Sequence, residues 1–201
     1  NYALRANTTA SNNTAVGYQS LYANTTGGNN TAVGNLALQA NTTASNNTAV
    51  GYQALYANTT SNSNTAIGYQ AGINLTGDGN IAVGLQSFRG ASASTARWNV
   101  AVGLNALDVA TSCTQNVAVG GLALSAATSG SANTAVGAGL PGADKGALQA
   151  LTTGNYNVAV GTAALSANTT ASNNTAVGYQ AGYSNTTSPS TTDRKSTRLN
   201  S

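Results

Sequence analysis

The sequence predicts an all-β chain wound as a parallel β-solenoid, a β-roll of about ten 17-residue rungs with two short strands per rung. Three observations predict it. A five-residue block, Asn13-Thr14-Ala15-Val16-Gly17 in its first clean copy, recurs ten times, ending at Gly17, Gly34, Gly51, Gly68, Gly84, Gly103, Gly120, Gly137, Gly161 and Gly178. The steps between these glycines are 17, 17, 17, 16, 19, 17, 17, 24 and 17 residues, the kind of fixed period that stacked coils produce. Only 5% of residues are charged against 41% hydrophobic, and the apolar residues hold fixed places in the period, which a disordered polar chain does not arrange.

Asn opens every block: Asn13, Asn30, Asn47, Asn64, Asn80, Asn99, Asn116, Asn133, Asn157 and Asn174. Such an amide is expected to form a ladder with its equivalents above and below and to satisfy the turn backbone. Thr follows in six copies, and Ile81, Val100, Val117 and Val158 in the other four. Ala comes next in all ten: Ala15, Ala32, Ala49, Ala66, Ala82, Ala101, Ala118, Ala135, Ala159 and Ala176. Val then precedes Gly nine times, with Ile67 the exception. This is the period-2 pattern of a strand, built of residues that suit a pleated surface. Exchange of Thr with Val places that position and the following Val inward, near the edge of a core. The unvarying Ala then makes a close contact on the other face, inside the coil or between chains, so both faces are expected to be packed. Gly supplies a bend that a side chain would block.

After Gly, the run Tyr52-Gln53-Ala54-Leu55-Tyr56-Ala57 typifies the second half of the rung. Its Leu recurs as Leu21, Leu38, Leu55, Leu107, Leu124 and Leu165, with Phe88 once, and is read as a second core contact on a shorter strand. Asn-Thr-Thr and a Ser/Asn/Gly turn close the coil, with the first Thr aligning as a hydroxyl ladder. Rungs stacked ~4.8 Å apart give a rod about 50 Å long, stable only through its neighbours.

Residues 1–187 are read as one repeat segment, with an irregular rung at 85–102 that carries Phe88, Arg89, Arg97 and Trp98, and an inserted loop at 138–154. Residues 188–201 leave the repeat, and 193–201 look like a translated sequencing adapter, to be kept out of fold reasoning. Without them Arg5, Arg89, Arg97 and Lys145 face Asp78, Asp108 and Asp144, so the net charge falls from +3 to +1 and implies no nucleic-acid partner. The chain opens in mid-repeat without Met, as an internal piece of a longer protein would. No apolar run is long enough to cross a membrane, so no membrane insertion is expected in this segment. The single Cys113 excludes an internal disulfide framework, and a free thiol is favoured over a cross-link between chains.

There is no His and no Glu, and Asp78, Asp108 and Asp144 fall at unrelated phases of the repeat. General acid-base chemistry needs titratable groups at close range, and calcium needs several carboxylates. The chain is therefore not expected to be an enzyme, to bind a metal or to carry a cofactor. The motif with most chemical content is the Asn-x-Ser/Thr glycosylation acceptor. Asn7, Asn24, Asn41, Asn58, Asn168 and Asn185, in the Asn-Thr-Thr loops farther from the strand, are the stronger candidates; Asn12, Asn29, Asn46, Asn74 and Asn173 are the weaker. Tyr18, Tyr52, Tyr69 and Tyr179 share one phase, but Asn35, Leu85, Leu104 and Gly121 interrupt them, which favours packing over a sugar-binding row.

Through Asn-Thr-Ala-Val-Gly-Tyr-Gln-Ala-Leu the chain resembles the head repeats of YadA-type trimeric autotransporter adhesins, and similar repeats in phage and bacterial tail-fibre-like proteins. The match covers nearly everything before residue 188; the unit is longer than the usual adhesin repeat because of the Asn-Thr-Thr loop. The resemblance implies a left-handed parallel β-roll, assembled as a trimer, extracellular or on the cell surface, and used in adhesion. The expected function is thus a structural or adhesive fibre, polymerising and glycosylated, whose partners are copies of itself in a trimer or head-to-tail filament and a cell-surface or glycan receptor. A receptor-binding tail-fibre segment is one alternative. Ice binding is another, because a grass antifreeze protein has similar Asn-Thr-Val-Ser-Gly repeats. Against it, the Thr ladder is expected in a turn rather than on a flat strand.

Overall fold

The structure, a computed structural model, describes residues 2–92 and 94–194. Among these residues there is no helix, and eleven three-residue strands form one parallel sheet in chain order. They are β1 (Thr14–Val16), β2 (Thr31–Val33), β3 (Thr48–Val50), β4 (Thr65–Ile67), β5 (Ile81–Val83), β6 (Val100–Val102), β7 (Val117–Val119), β8 (Thr134–Val136), β9 (Val158–Val160), β10 (Thr175–Val177) and β11 (Thr192–Arg194). The first ten coincide with the repeated blocks and pair block on block, Ala49 opposite Ala32 and Ala66. The chain is an all-β parallel solenoid with one strand per turn.

The inside of the coil is thin. From Ala32 to Ala176 the strand Ala is fully buried, and Ala15 is partly buried. Opposite it lie the recurrent Leu and the small residue before it, such as Ala54 and Leu55, also fully buried. Only a methyl fits beneath the strand because the Leu column already fills the interior. Ala49 and Ala118 therefore touch the coil's own core, and enlarging either to Leu overpacks that core.

This arrangement overturns two expectations. The Thr/Val and Val positions of the strand do not point inward. In the single chain they form the outward face, with Val16, Ile67, Ile81 and Val177 at 40–58% exposure. The period-2 alternation holds but its sides are exchanged, since burial follows the space available and not the size of the side chain. Among the described residues no rung has a second strand. Tyr52–Ala57 is a chain of turns in which Gln53 (φ 55°) and Leu55 (φ 51°) are left-handed, a pattern repeated in nearly every rung. The segment still bonds to its neighbour: Leu55 N–H donates to Ala71 O at 3.1 Å and Ala57 N–H to Ile73 O at 2.9 Å, while Asn58 N–H turns back to Leu55 O at 3.2 Å. Rung-to-rung bonding and apolar burial are thus met without extended backbone.

The block Gly is fixed by its neighbour. A β-carbon on Gly51 (φ 133°) would lie 2.4 Å from the carbonyl oxygen of Gly68, in a backbone region that L-residues rarely adopt. One rung exchanges its parts: Gly72 occupies the Leu place and Leu75 the place of the buried loop Asn. A β-carbon on Gly72 would lie 3.1 Å from Leu75 Cδ1, so Leu75 fills the space that Gly72 leaves.

In the irregular rung Phe88 takes the Leu place and is fully buried, and Arg89 forms a paired contact with Asp108 of the next rung at 2.9 and 2.8 Å. The inserted excursion is narrower than 138–154. Ala147 N–H returns to Gly137 O at 3.1 Å, and Leu148 and Leu151 rejoin the core. The stack also runs past residue 187: β11 pairs in register with β10, placing Asp193 in the Ala phase, and Asp193 Oδ2 accepts Gly182 N–H at 2.7 Å. Two residues of the adapter-like stretch therefore lie in a strand, fully on the surface, and 195–201 fall outside the described residues.

Candidate functional site

The outward strand face is the most extended feature of the surface. Two columns run along it, Thr14, Thr31, Thr48, Thr65, Ile81, Val100, Val117, Thr134, Val158 and Thr175 beside the Val/Ile column that ends at Val177. No charged residue stands in either column across β1 to β10. Tyr18, Tyr52, Tyr69 and Tyr179 border the face, each 40–59% exposed, and Tyr52 stacks on Tyr69 at 5.3 Å between centroids. With this border the face is roughly 50 Å by 16 Å, on the order of 800 Å², from ~4.8 Å per rung and ~3.3 Å per residue.

Two amide ladders run along the coil beneath its turns. In the first, Asn116 Nδ2 donates to Asn99 Oδ1 at 3.1 Å and to Gly130 O at 2.8 Å, while its Oδ1 accepts Asn133 N–H at 2.9 Å. The same pattern links nearly every block Asn to the next, and Asn30 to Asn174 are fully buried. The second ladder is built from loop residues that were candidate glycan acceptors. Asn41 Nδ2 donates to Asn24 Oδ1 at 2.8 Å and to Ala44 O at 3.0 Å, and Asn58 Nδ2 to Asn41 Oδ1 at 3.2 Å. It stops where Leu75 replaces Asn, leaving Asn58 Oδ1 buried without a partner.

Burial removes four of the six stronger glycosylation candidates. Asn24, Asn41, Asn58 and Asn168 are fully buried, so their amides cannot carry a glycan in this fold, while Asn7 is exposed and Asn185 half-buried. Among the residues ranked lower, Asn12, Asn29, Asn46 and Asn173 are exposed on the turn before the strand and Asn74 is half-buried. The Asn-Thr-Thr loop lies farther along the chain from the strand but folds its amide inward. The loop Thr hydroxyls are likewise engaged: Thr25 Oγ1 donates to Thr42 O at 3.0 Å and Thr111 Oγ1 to Thr128 O at 2.7 Å.

The turn before the strand forms a second surface feature, which the sequence reading missed. The residue five places before each block Gly is left-handed in every rung, filled mostly by Asn, Ser, Gly, Gln or Ala. In two rungs it is a large aromatic: Trp98 (φ 56°) and Tyr156 (φ 57°). They are 60% and 67% exposed. Aligning the copies by their Gly would have found them, since both stand in a column whose common residue is Asn.

Elsewhere the available chemistry is sparse. Among the described residues no three of His, Cys, Asp and Glu cluster so as to hold a metal. Cys113 is buried, which rules out a cross-link between folded chains through it, and desolvation pushes its thiol up to about 12 despite opposing hydrogen bonds from its own backbone and Asn116. No described helix is long and apolar enough to cross a membrane. No family model matches the chain, and comparison with curated proteins and with solved structures returned no significant match.

Proposed function

We propose that this chain is a segment of an extracellular structural or adhesive fibre that assembles with copies of itself through the outward strand face. One observation carries the reading: an uninterrupted, charge-free, β-branched face along ten rungs. Together with its Tyr border the face covers on the order of 800 Å², about what one partner contributes to a standard interface. β-branched side chains in two straight columns interdigitate with the same columns of a second rod at equal height, so parallel copies in register are the natural partners. The YadA-type resemblance points to three such copies. Sedimentation equilibrium tests the proposal. The chain is expected to sediment as a discrete oligomer, and Val102→Lys, which puts a charge in the middle of the face, to sediment as a folded monomer. A wild-type monomer at micromolar concentration overturns it.

A second reading, ice binding, gains from one observation. Six of the outward strand residues are Thr, at Thr14, Thr31, Thr48, Thr65, Thr134 and Thr175, a second Thr array distinct from the loop ladder, which lies in bends as expected. Both readings use the same face, so one pair of measurements separates them. A monomer that shows thermal hysteresis supports ice binding; an oligomer without hysteresis supports the fibre.

A further inference from the structure

We propose that the turn ridge bearing Trp98 and Tyr156 is a binding platform for a neutral polysaccharide chain. Large aromatic residues are poor occupants of the left-handed region, where a β-carbon crowds the backbone at a cost of about 1–2 kcal/mol. Asn fills the same place in four other rungs without that penalty. The left-handed turn is common to every rung, so what sets these two apart is a large exposed aromatic standing where Asn would sit at less cost.

The neighbours of both aromatics fit the purpose. The residue below Trp98 in the column is Gly79, and a β-carbon there would lie 2.6 Å from Trp98 Cδ1 and 3.2 Å from Nε1. The indole therefore leans along the rod over Gly79, whose missing side chain makes room for it. Below Tyr156 stands Ala132, the next smallest residue type in the column. Column neighbours are joined by turn hydrogen bonds, Gln115 N–H to Arg97 O at 3.2 Å, Ala132 N–H to Thr114 O at 3.0 Å and Tyr156 N–H to Ser131 O at 3.1 Å, so the two aromatics are three rungs apart. At ~4.8 Å per rung that is about 14 Å, a span that a short run of pyranose rings covers. Between the aromatics lie exposed Gln115 and small Ala132, leaving a low saddle with an amide in it. Arg97, next to Trp98 in the chain, stands 3.9 Å from Asp78, which balances its charge and favours a neutral ligand over an acidic one. Apolar sugar faces stack on aromatic rings while hydroxyls meet polar groups at their edges, the division of labour that an amphipathic ring provides.

The inference would give the adhesive reading its ligand and rests on that reading for its biological sense, though not for its test. Trp98 is the only tryptophan, so its emission reports this site alone. The intact chain is titrated with cellohexaose, chitohexaose, laminarihexaose and xylohexaose, with calorimetry in parallel. At least one is expected to shift Trp98 emission saturably, with little dependence on salt. Tyr156→Ala should weaken that ligand about tenfold, equivalent to about 1.4 kcal/mol. Trp98→Asn should abolish the calorimetric signal while raising the unfolding midpoint, because Asn suits the left-handed turn. Absence of a response to all four sugars, or unchanged binding in both variants, overturns the proposal. Sedimentation of the same samples shows separately whether assembly holds, so failure of the fibre reading is not mistaken for failure of this one.

Discussion

Replacing Asn116 by Ala breaks the buried amide ladder in the middle of the stack. Four side-chain bonds go: Nδ2 to Asn99 Oδ1 at 3.1 Å, Nδ2 to Gly130 O at 2.8 Å, and Oδ1 to Asn133 N–H at 2.9 Å and to Asn133 Nδ2 at 3.0 Å. Two of the partners recover in part. Asn99 Oδ1 still accepts Asn116 N–H at 2.9 Å, and Asn133 Nδ2 still reaches Gly154 O at 2.8 Å. The Gly130 carbonyl and the Asn133 N–H lose their ladder partner inside the protein. An orphaned buried group costs about 1–3 kcal/mol, so the expected loss is about 3–5 kcal/mol. In a stack held by nearest-neighbour contacts such a loss also weakens the coupling between the halves on either side of it. Urea unfolding followed by far-UV circular dichroism and by Trp98 fluorescence measures both effects, because Trp98 lies on the N-terminal side of the break. The two probes should coincide in the wild type and separate in Asn116→Ala. Asn13→Ala, at a partly buried end rung, should cost only about 1 kcal/mol, since water can replace the lost partners. A loss below about 1 kcal/mol for Asn116→Ala, with coincident probes, would refute the ladder as a source of stability.

Other consequences follow from particular contacts. Gly51→Ala forces a β-carbon to 2.4 Å from Gly68 O and should destabilise by about 3 kcal/mol or prevent folding, read by thermal melting. Gly72→Leu and Leu75→Asn should each cost about 2 kcal/mol alone, by overpacking and by cavity formation, yet nearly cancel together, because the double variant restores the usual rung and offers Asn58 Oδ1 a donor. Cys113 binds its proton more tightly folded than unfolded, so its contribution is intact below about pH 9 and declines as pH rises from there toward about 12. The stability difference between wild type and Cys113→Ala should therefore shrink by about 1 kcal/mol between pH 8 and pH 10, measured by urea unfolding.

Period, strand and bend were legible because each imposes its residue at the same place in every rung. Gly51 can be nothing larger, and the buried amides of Asn47 and Asn116 have no substitute that both donates and accepts in the same geometry. The direction in which the strand faces was not legible. Thr-for-Val exchange marks a surface that tolerates either, which a half-exposed outward face also does, and only the Leu column shows how little room remains beneath Ala. The left-handed turns after the Gly had a signal that went unread: Gly72 and Gly182 stand in the Leu place with φ of 61° and 60°, the conformation that Leu55 adopts at some cost. The glycan acceptors were misordered because a loop residue can be remote from the strand in sequence and still turn its amide into the coil. Trp98 is hidden by the irregular rung at 85–102, and Tyr156 stands outside the Tyr phase that follows the Gly, so neither shows as a member of the Asn column until the copies are aligned by their Gly.

The assembly face can be tested most directly with single cysteines, since buried Cys113 stays out of reach in the folded chain. Val102→Cys places a thiol at the centre of the outward face, and Ser112→Cys places one in an exposed turn on another side of the coil. Under mild oxidation, parallel copies meeting in register should link rapidly through position 102 and not through position 112. Exclusive linkage at 112, or no linkage at either position, would contradict assembly through the strand face.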